Sequence, residues 1–278
     1  MTERPAWAPQ GIDLSVPSVS RIYDYYLGGS HNFEVDREAG RQAMAAYPGL
    51  PQVMQANRAF LRRAVRFAVA EGVTQFLDVG SGIPTFGNVH EIAQQADPRA
   101  RVVYVDHDPV AVEHSRAVLA GQDRATAVAA DLRSPRDILH SRQVRELLDL
   151  GRPVGLLLVA VLHFLQDHEE PGKAVAELRD ALAPGSLLIL THATEQDGPI
   201  RPEAGARVRD VYRAIGSPLR TRSRSQVAAF FEGFTLVEPG LVPMNAWRPE
   251  PDGPGGPAPA GPAERAGAAG FAGVGRKR

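Results

Sequence analysis

The sequence predicts an α/β protein: a doubly wound parallel sheet of about seven strands, with a helical cap at its N-terminus. Three observations carry this. Five short runs that are apolar on both faces alternate with amphipathic stretches, as a parallel sheet covered by helices requires. The first of those runs leads into a glycine-containing turn. The residues before position 72 carry helical periodicity and no strand signal.

The bulk numbers are compatible with that fold and narrow the function. The chain has 278 residues, of which 44% are hydrophobic, enough for a sizeable core. A formal charge of -1 gives no electrostatic footprint for nucleic acid or for an anionic membrane. Cysteine is absent, which excludes disulfides, thiolate metal sites and cysteine nucleophiles. The opening "MTERPAWAPQGIDLS" has no apolar signal-peptide core, and the longest apolar run, "VGLLLVAVLHFL" (154–165), is too short to span a bilayer. The expectation is a soluble, cytoplasmic protein.

Taken in order, residues 1–72 form the expected cap over the ligand crevice, the alternative being a helical bundle leaning on the side of the sheet. In it "SVSRIYDYYLGGSHNFEVDREAGRQAMAAY" and "PQVMQANRAFLRRAVRFAVAEG" read as helices and Gly28-Gly29 as a tight turn or hinge. Residues 73–249 form the sheet domain. Its strands are "TQFLDV" (74–79), "RVVYVD" (101–106), "ATAVAA" (125–130), "VGLLLVAVL" (154–162) and "SLLILTH" (186–192). Amphipathic helices near 87–96, 109–120, 136–149 and 171–183 connect them, and right-handed crossovers then place helices on both faces. Helix-like stretches follow at 201–215 and 223–231. The β-prone pieces in "FTLVEPGLVPMNAWRP" are expected to pair as an antiparallel hairpin on the sheet edge. Residues 250–278 are dominated by Pro, Gly and Ala with one large apolar residue, and read as a disordered tail.

Ligands of such a sheet sit at the carboxyl ends of its strands. At the first end, "FLDVGSGIPTFGNVHE" (76–91), the strand runs into two glycines, Gly80 and Gly82, but lacks a third where each familiar nucleotide loop has it. A dinucleotide loop, G-x-G-x-x-G, needs glycine where the chain has Thr85. The S-adenosylmethionine loop, acid-x-G-x-G-x-G, wants it where the chain has Pro84. Pro84 removes an N–H that a pyrophosphate would use, a loss that a ligand without phosphate tolerates. Gly80, Ser81 and Gly82 would lie against the ligand, and Asp78 suits an amino-acid ammonium better than a phosphate.

At the second end, "YVDHDP", Asp106 can accept both ribose hydroxyls of either NAD or S-adenosylmethionine, with His107 beside it. Asp108 before Pro109 reads as a helix cap. At the third, Asp131 closes the strand and can accept an adenine amino group. At the fourth, His163 is a candidate base for a hydroxyl or amine nucleophile, or simply lines the pocket. His192 and Thr194, after strand five, and Tyr23, Tyr26 and His31 of the cap are candidates for the acceptor side; packing against the sheet is the alternative for the tyrosines. No metal-ligand spacing, P-loop or G-x-S-x-G occurs.

Together these residues resemble a class I S-adenosylmethionine-dependent methyltransferase, with its Rossmann-like fold. "RIYDYYLGGSHNFEVDR" (21–37), "DVGSGIPTFGNVHE" (78–91) and "FFEGFTLVEPGLVPMNAWRP" (230–249) resemble a narrower group, the S-adenosyl methyltransferase family of actinobacteria, over roughly residues 15–249. The Pro84-Thr85 loop is the form that resemblance implies. It further implies S-adenosylmethionine as cofactor, with Gly80 and Gly82 at its methionine part, Asp106 at the ribose, and Asp131 with Leu132 at the adenine. The chain departs from many such relatives at "RPVGLLLV", which lacks an acid at the start of strand four. The expected activity is methyl transfer to an unidentified acceptor, a small molecule rather than nucleic acid or membrane. The alternatives are a non-catalytic binder of the same cofactor and an NAD(P)-dependent oxidoreductase. The oxidoreductase would want a Tyr-x-x-x-Lys or similar pattern, and Lys173 and Lys277 are the only lysines.

Overall fold

The computed structural model describes residues 13–84, 87–196, 198–249 and 266–278. The chain opens with three helices, α1 (Val19–Tyr26), α2 (Glu34–Ala46) and α3 (Leu50–Ala70). An alternating series follows: β1 (Gln75–Val79), α4 (Val89–Ala96), β2 (Arg101–Asp106), α5 (Pro109–Val118) and β3 (Ala125–Ala129). Two short helices, α6 (Pro135–His140) and α7 (Arg142–Leu147), stand where one was expected, and Ser141 both ends the first and caps the second through Val144 N–H. Then come β4 (Gly155–Val159), α8 (Pro171–Asp180), β5 (Leu187–Ala193), α9 (Pro202–Ala214), α10 (Arg224–Ala229), β6 (Phe234–Leu236), β7 (Val242–Pro243) and β8 (Gly270–Lys277).

The eight strands form one sheet in the order β3-β2-β1-β4-β5-β8-β6, with β7 also on β8. The first five pair in parallel, and β8 runs antiparallel to β5, β6 and β7. Strand alternation feeds two cores. Phe76, Val102, Leu157 and Ile189 point to one face, where Phe60, Leu61, Ala64 and Ala68 of α3 cover them. Leu77, Val103, Leu158 and Leu190 point to the other, against Ile138, Leu178 and Val227.

Three expectations change. The segment 250–278 is not disordered throughout: residues 266–278 are described and supply β8, in the interior of the sheet, while 250–265 lie outside the described residues. The glycines that suggested disorder are there because the space is taken. A Cβ at Gly275 would stand 2.8 Å from the Phe231 ring, and one at Gly273 would stand 3.0 Å from it. The β6–β7 hairpin is also corrected: the two strands do not pair with each other but line up along the edge of β8 opposite β5, β6 against Gly275–Lys277 and β7 against Phe271–Ala272. Finally, the helices before residue 72 do not act as one cap. Val53, Phe60, Leu61, Ala64 and Ala68, spaced at three and four, make α3 a layer on the sheet face. Helix α2 packs with α9, and α1 reaches the carboxyl edge of the sheet.

Candidate functional site

The carboxyl ends of β1 to β4 open into a cavity of about 530 Å³, closed on its other side by α1, α3 and residues 216–218. The glycine turn forms its floor. Gly80 (φ 75°) and Gly82 (φ 68°) both occupy the left-handed region that favours glycine. The N–H groups of Gly80 and Ser81 donate to the Val105 carbonyl at 2.8 and 3.1 Å, tying the turn to the end of β2. A Cβ at Gly80 would collide with the Val161 side chain, whereas one at Gly82 would meet nothing within 4 Å. The first glycine lets the tip of β4 approach; the second leaves room for a ligand.

Asp106, at the tip of β2, is buried, and both its oxygens accept backbone N–H groups: Gly82 at 2.7 Å and Asp108 at 2.9 Å. Burial raises its pKa, and those two bonds oppose the rise. Asp108 caps α5 through Val110 N–H at 2.7 Å and also accepts from the Ser18 hydroxyl, which fastens the chain just before α1 to the sheet edge. Buried Arg21 extends that junction, donating to Asp36 at 2.8 Å. Asp78, buried at the end of β1, has its pKa pushed up to about 7; burial is the main cause, Arg58 opposes it and Asp106 adds to it. Asp131 accepts from Arg133 through N–H (2.8 Å) and Nη1 (2.9 Å), and Arg133 Nε continues to Glu169 at 2.5 Å.

The residues expected at the cofactor come together. Asp78, Gly80, Ser81 and Gly82 line the cavity with Asp106, His107, Asp131 and Leu132. Thr85 lies outside the described residues. Of the acceptor-side candidates only Tyr23 lines the cavity.

The others are corrections. Ala160, with φ 59°, ends β4, and the short turn Leu162–Phe164 after it directs Phe164 to the cavity and His163 behind it. His163 is buried against Phe164 and His192, its Nδ1 3.4 Å from Ala193 N–H. Burial lowers its pKa well below the usual histidine range. His192 accepts from Arg222 at Nε2 (3.0 Å) and donates from Nδ1 to the Ala193 carbonyl (2.8 Å), so it is neutral; its pKa is held at about 4, mainly by burial. Neither histidine is placed to take a proton from a molecule in the cavity. Tyr26 packs in the α1–α2–α9 core beside Tyr212, Thr194 accepts from Gln196 N–H, and His31 packs on His114 with ring centres 3.7 Å apart.

Sequence reasoning missed Asn57 and Arg58 of α3, Phe164 and Gln166 after β4, and Ser217 with Pro218, all of which line the cavity. Asn57 had a signal: it shares a face with Val53, Phe60, Leu61 and Ala64, and an amide there needs a reason. Residues 216–218 had none, since Gln166 Nε2 ties them across the cavity mouth through Pro218 O at 2.7 Å, a contact across the fold. Among the described residues no cluster of three metal-ligating side chains occurs, and no helix is long and apolar enough to cross a membrane.

The sequence profile of the S-adenosyl methyltransferase family matches residues 5–278. Among solved structures, a candidate methyltransferase from Thermobifida fusca YX is 40% identical, with a TM-score of 0.90 over 99% of this chain and 100% of that one. A DUF574 family protein from Streptomyces avermitilis MA-4680 is 38% identical, with a TM-score of 0.87 over 96% and 99%. No curated protein matches.

Proposed function

The chain belongs to the S-adenosyl methyltransferase family, is a Rossmann-like methyltransferase and uses S-adenosylmethionine; from that premise we propose that its acceptor is a small, largely apolar molecule. The observation that carries this is the continuity of one cavity, from the carboxylates at the strand ends to an uncharged wall made by Val19, Ser20 and Tyr23 of α1, with Phe164 and Pro218. The residues present fit the cofactor. Asp106 suits the ribose, Asp131 and Leu132 the adenine, and Asp78 with the open face of Gly82 the amino-acid end. When bound, S-adenosylmethionine supplies an electrophilic methyl group. The oxidoreductase alternative falls with the family assignment.

On the acceptor side the chain offers alignment and exclusion of water rather than proton transfer. Tyr23 is the one titratable side chain among those five, and burial raises its pKa, so it stays neutral at physiological pH. His168 and Glu169 also line the cavity, Glu169 being held by Arg133 and the Gln166 N–H. The acceptor's nucleophilic atom therefore arrives with its lone pair already free, having given any proton to water, as the phenolate of an acidic phenol, a carboxylate or a neutral heteroaromatic nitrogen does. The test is formation of S-adenosylhomocysteine from S-adenosylmethionine with a panel of small phenols and heteroaromatic amines, run beside peptides of mixed sequence. Turnover with members of the first panel is expected. Transfer confined to the peptides would overturn the proposal.

A further inference from the structure

A row of hydrogen bonds, all donated in one direction, runs through the core between two walls of the cavity. The Ala160 N–H donates to Thr191 Oγ1 at 2.9 Å, and Thr191 Oγ1 donates to Asn57 Oδ1 at 2.7 Å. Asn57 Nδ2 donates to the Tyr23 hydroxyl at 2.9 Å, which in turn faces the Met54 carbonyl at 3.4 Å. Bonds arranged head to tail polarise one another. Asn57 and Thr191 are 4% and 2% exposed, where an unpaired amide or hydroxyl is costly. The row satisfies both. Its two ends, Tyr23 and Ala160, line the cavity.

Ala160 gives the row a purpose. Its φ of 59° is left-handed, a conformation strained for a residue with a Cβ, which persists only where the surroundings hold it. Thr191, paired opposite the end of β4, supplies that hold through the Ala160 N–H. The consequence falls on the next residue: Val161 packs where a Cβ of Gly80 would be, closing the tip of β4 onto the glycine turn.

We propose that Thr191 and Asn57 are positioning residues for the cofactor: they hold Ala160 in its left-handed conformation, so that Ala160 and Val161 complete the crevice beside Gly80. Thr191 lies behind the cavity and acts on Ala160 directly; Asn57, whose side chain also lines the cavity, acts on Ala160 through Thr191. The inference rests on the reading of this cavity as the S-adenosylmethionine site.

Calorimetric titration with S-adenosylhomocysteine tests it without an identified acceptor. Thr191→Val keeps the shape and removes the hydroxyl, and weakens binding about tenfold, the size of one buried hydrogen bond. Thr191→Ser, which keeps the hydroxyl, binds as the unmodified protein does. The discriminating arm uses Ala160→Gly, because glycine adopts the left-handed conformation without strain. In that background Thr191→Val loses no more than about twofold, a non-additivity that a merely structural role of Thr191 would not produce. Should Thr191→Val fail to fold, Tyr23→Phe removes the far end of the row and carries the same comparison with a smaller loss. Undiminished affinity of Thr191→Val, or an equal loss on Thr191→Val with and without Ala160→Gly, overturns the inference alone. An unmodified protein that does not bind S-adenosylhomocysteine overturns the reading of the cavity as well.

Discussion

A carboxyl group buried at the tip of β1, with a second carboxylate in the same crevice, keeps its proton to higher pH than it would in water. For Asp78 the sign is definite. With a folded-state pKa of about 7 against 3.8 unfolded, its contribution to stability is present at low pH and is lost as pH rises through 7. A cationic partner reverses the preference, since the ammonium end of S-adenosylmethionine favours the ionised carboxylate. Binding therefore releases a proton below pH 7, and affinity at pH 6 is expected to be about tenfold weaker than at pH 8. Asp78→Asn should flatten that profile in calorimetric titrations; an unmodified protein with a flat profile would remove Asp78 from the site. That Asp78, Asp106 and Asp131 line one cavity was legible because parallel strands deliver their final residues, and the turns just after them, to the same edge whatever the details. His163 was not. Its side depends on the left-handed Ala160 three residues earlier, and an alanine gives no warning of such a turn.

At the scale of elements, the alternation of buried strands and amphipathic helices gave β1, β2, β3 and β5 to within a residue at each end, since those strands are largely apolar on both faces. Strand β4 stops at Val159 rather than at 162, because the left-handed Ala160 turns an apolar run that composition reads as continuous strand. Strand β8 was illegible for a physical reason. Composition takes glycine as a sign of uncompensated ordering entropy, yet Gly273 and Gly275 exist to admit the Phe231 ring against the strand. The ordering is offset by backbone pairing along both sides of β8 and by burial of Phe271, Ala272 and Val274. A chain ending at residue 265 would leave β5 with an open edge and strip β6 and β7 of their partner. It is expected to lose cooperative thermal unfolding followed by circular dichroism. A truncated chain that melts within a few degrees of the full one would contradict the place given to β8.

For the whole molecule, the strand order reverses between β1 and β4, and a crevice opens at such a reversal. The cavity lies there, with Gly80 to Gly82 on the β1 side, Ala160 and Val161 on the β4 side, and Asp106 and Asp131 extending it toward β3. Helix α1 closes it because Ser18 and Arg21 bind the acids Asp108 and Asp36, a junction that joins the N-terminal segment to the β2 end across the fold. No sequence pattern announces such a junction. The proposed placement of the cofactor thus depends most on one contact, the Asp106 carboxylate with the sugar. Calorimetric titration of S-adenosylmethionine, S-adenosylhomocysteine and NAD into the protein and into Asp106→Ala measures it directly. Both adenosyl compounds should bind the unmodified protein and NAD should not, and Asp106→Ala should lose about 1.5–3 kcal/mol, the worth of charged hydrogen bonds to the ribose. An unchanged affinity in Asp106→Ala, or binding of NAD alone, would contradict the account.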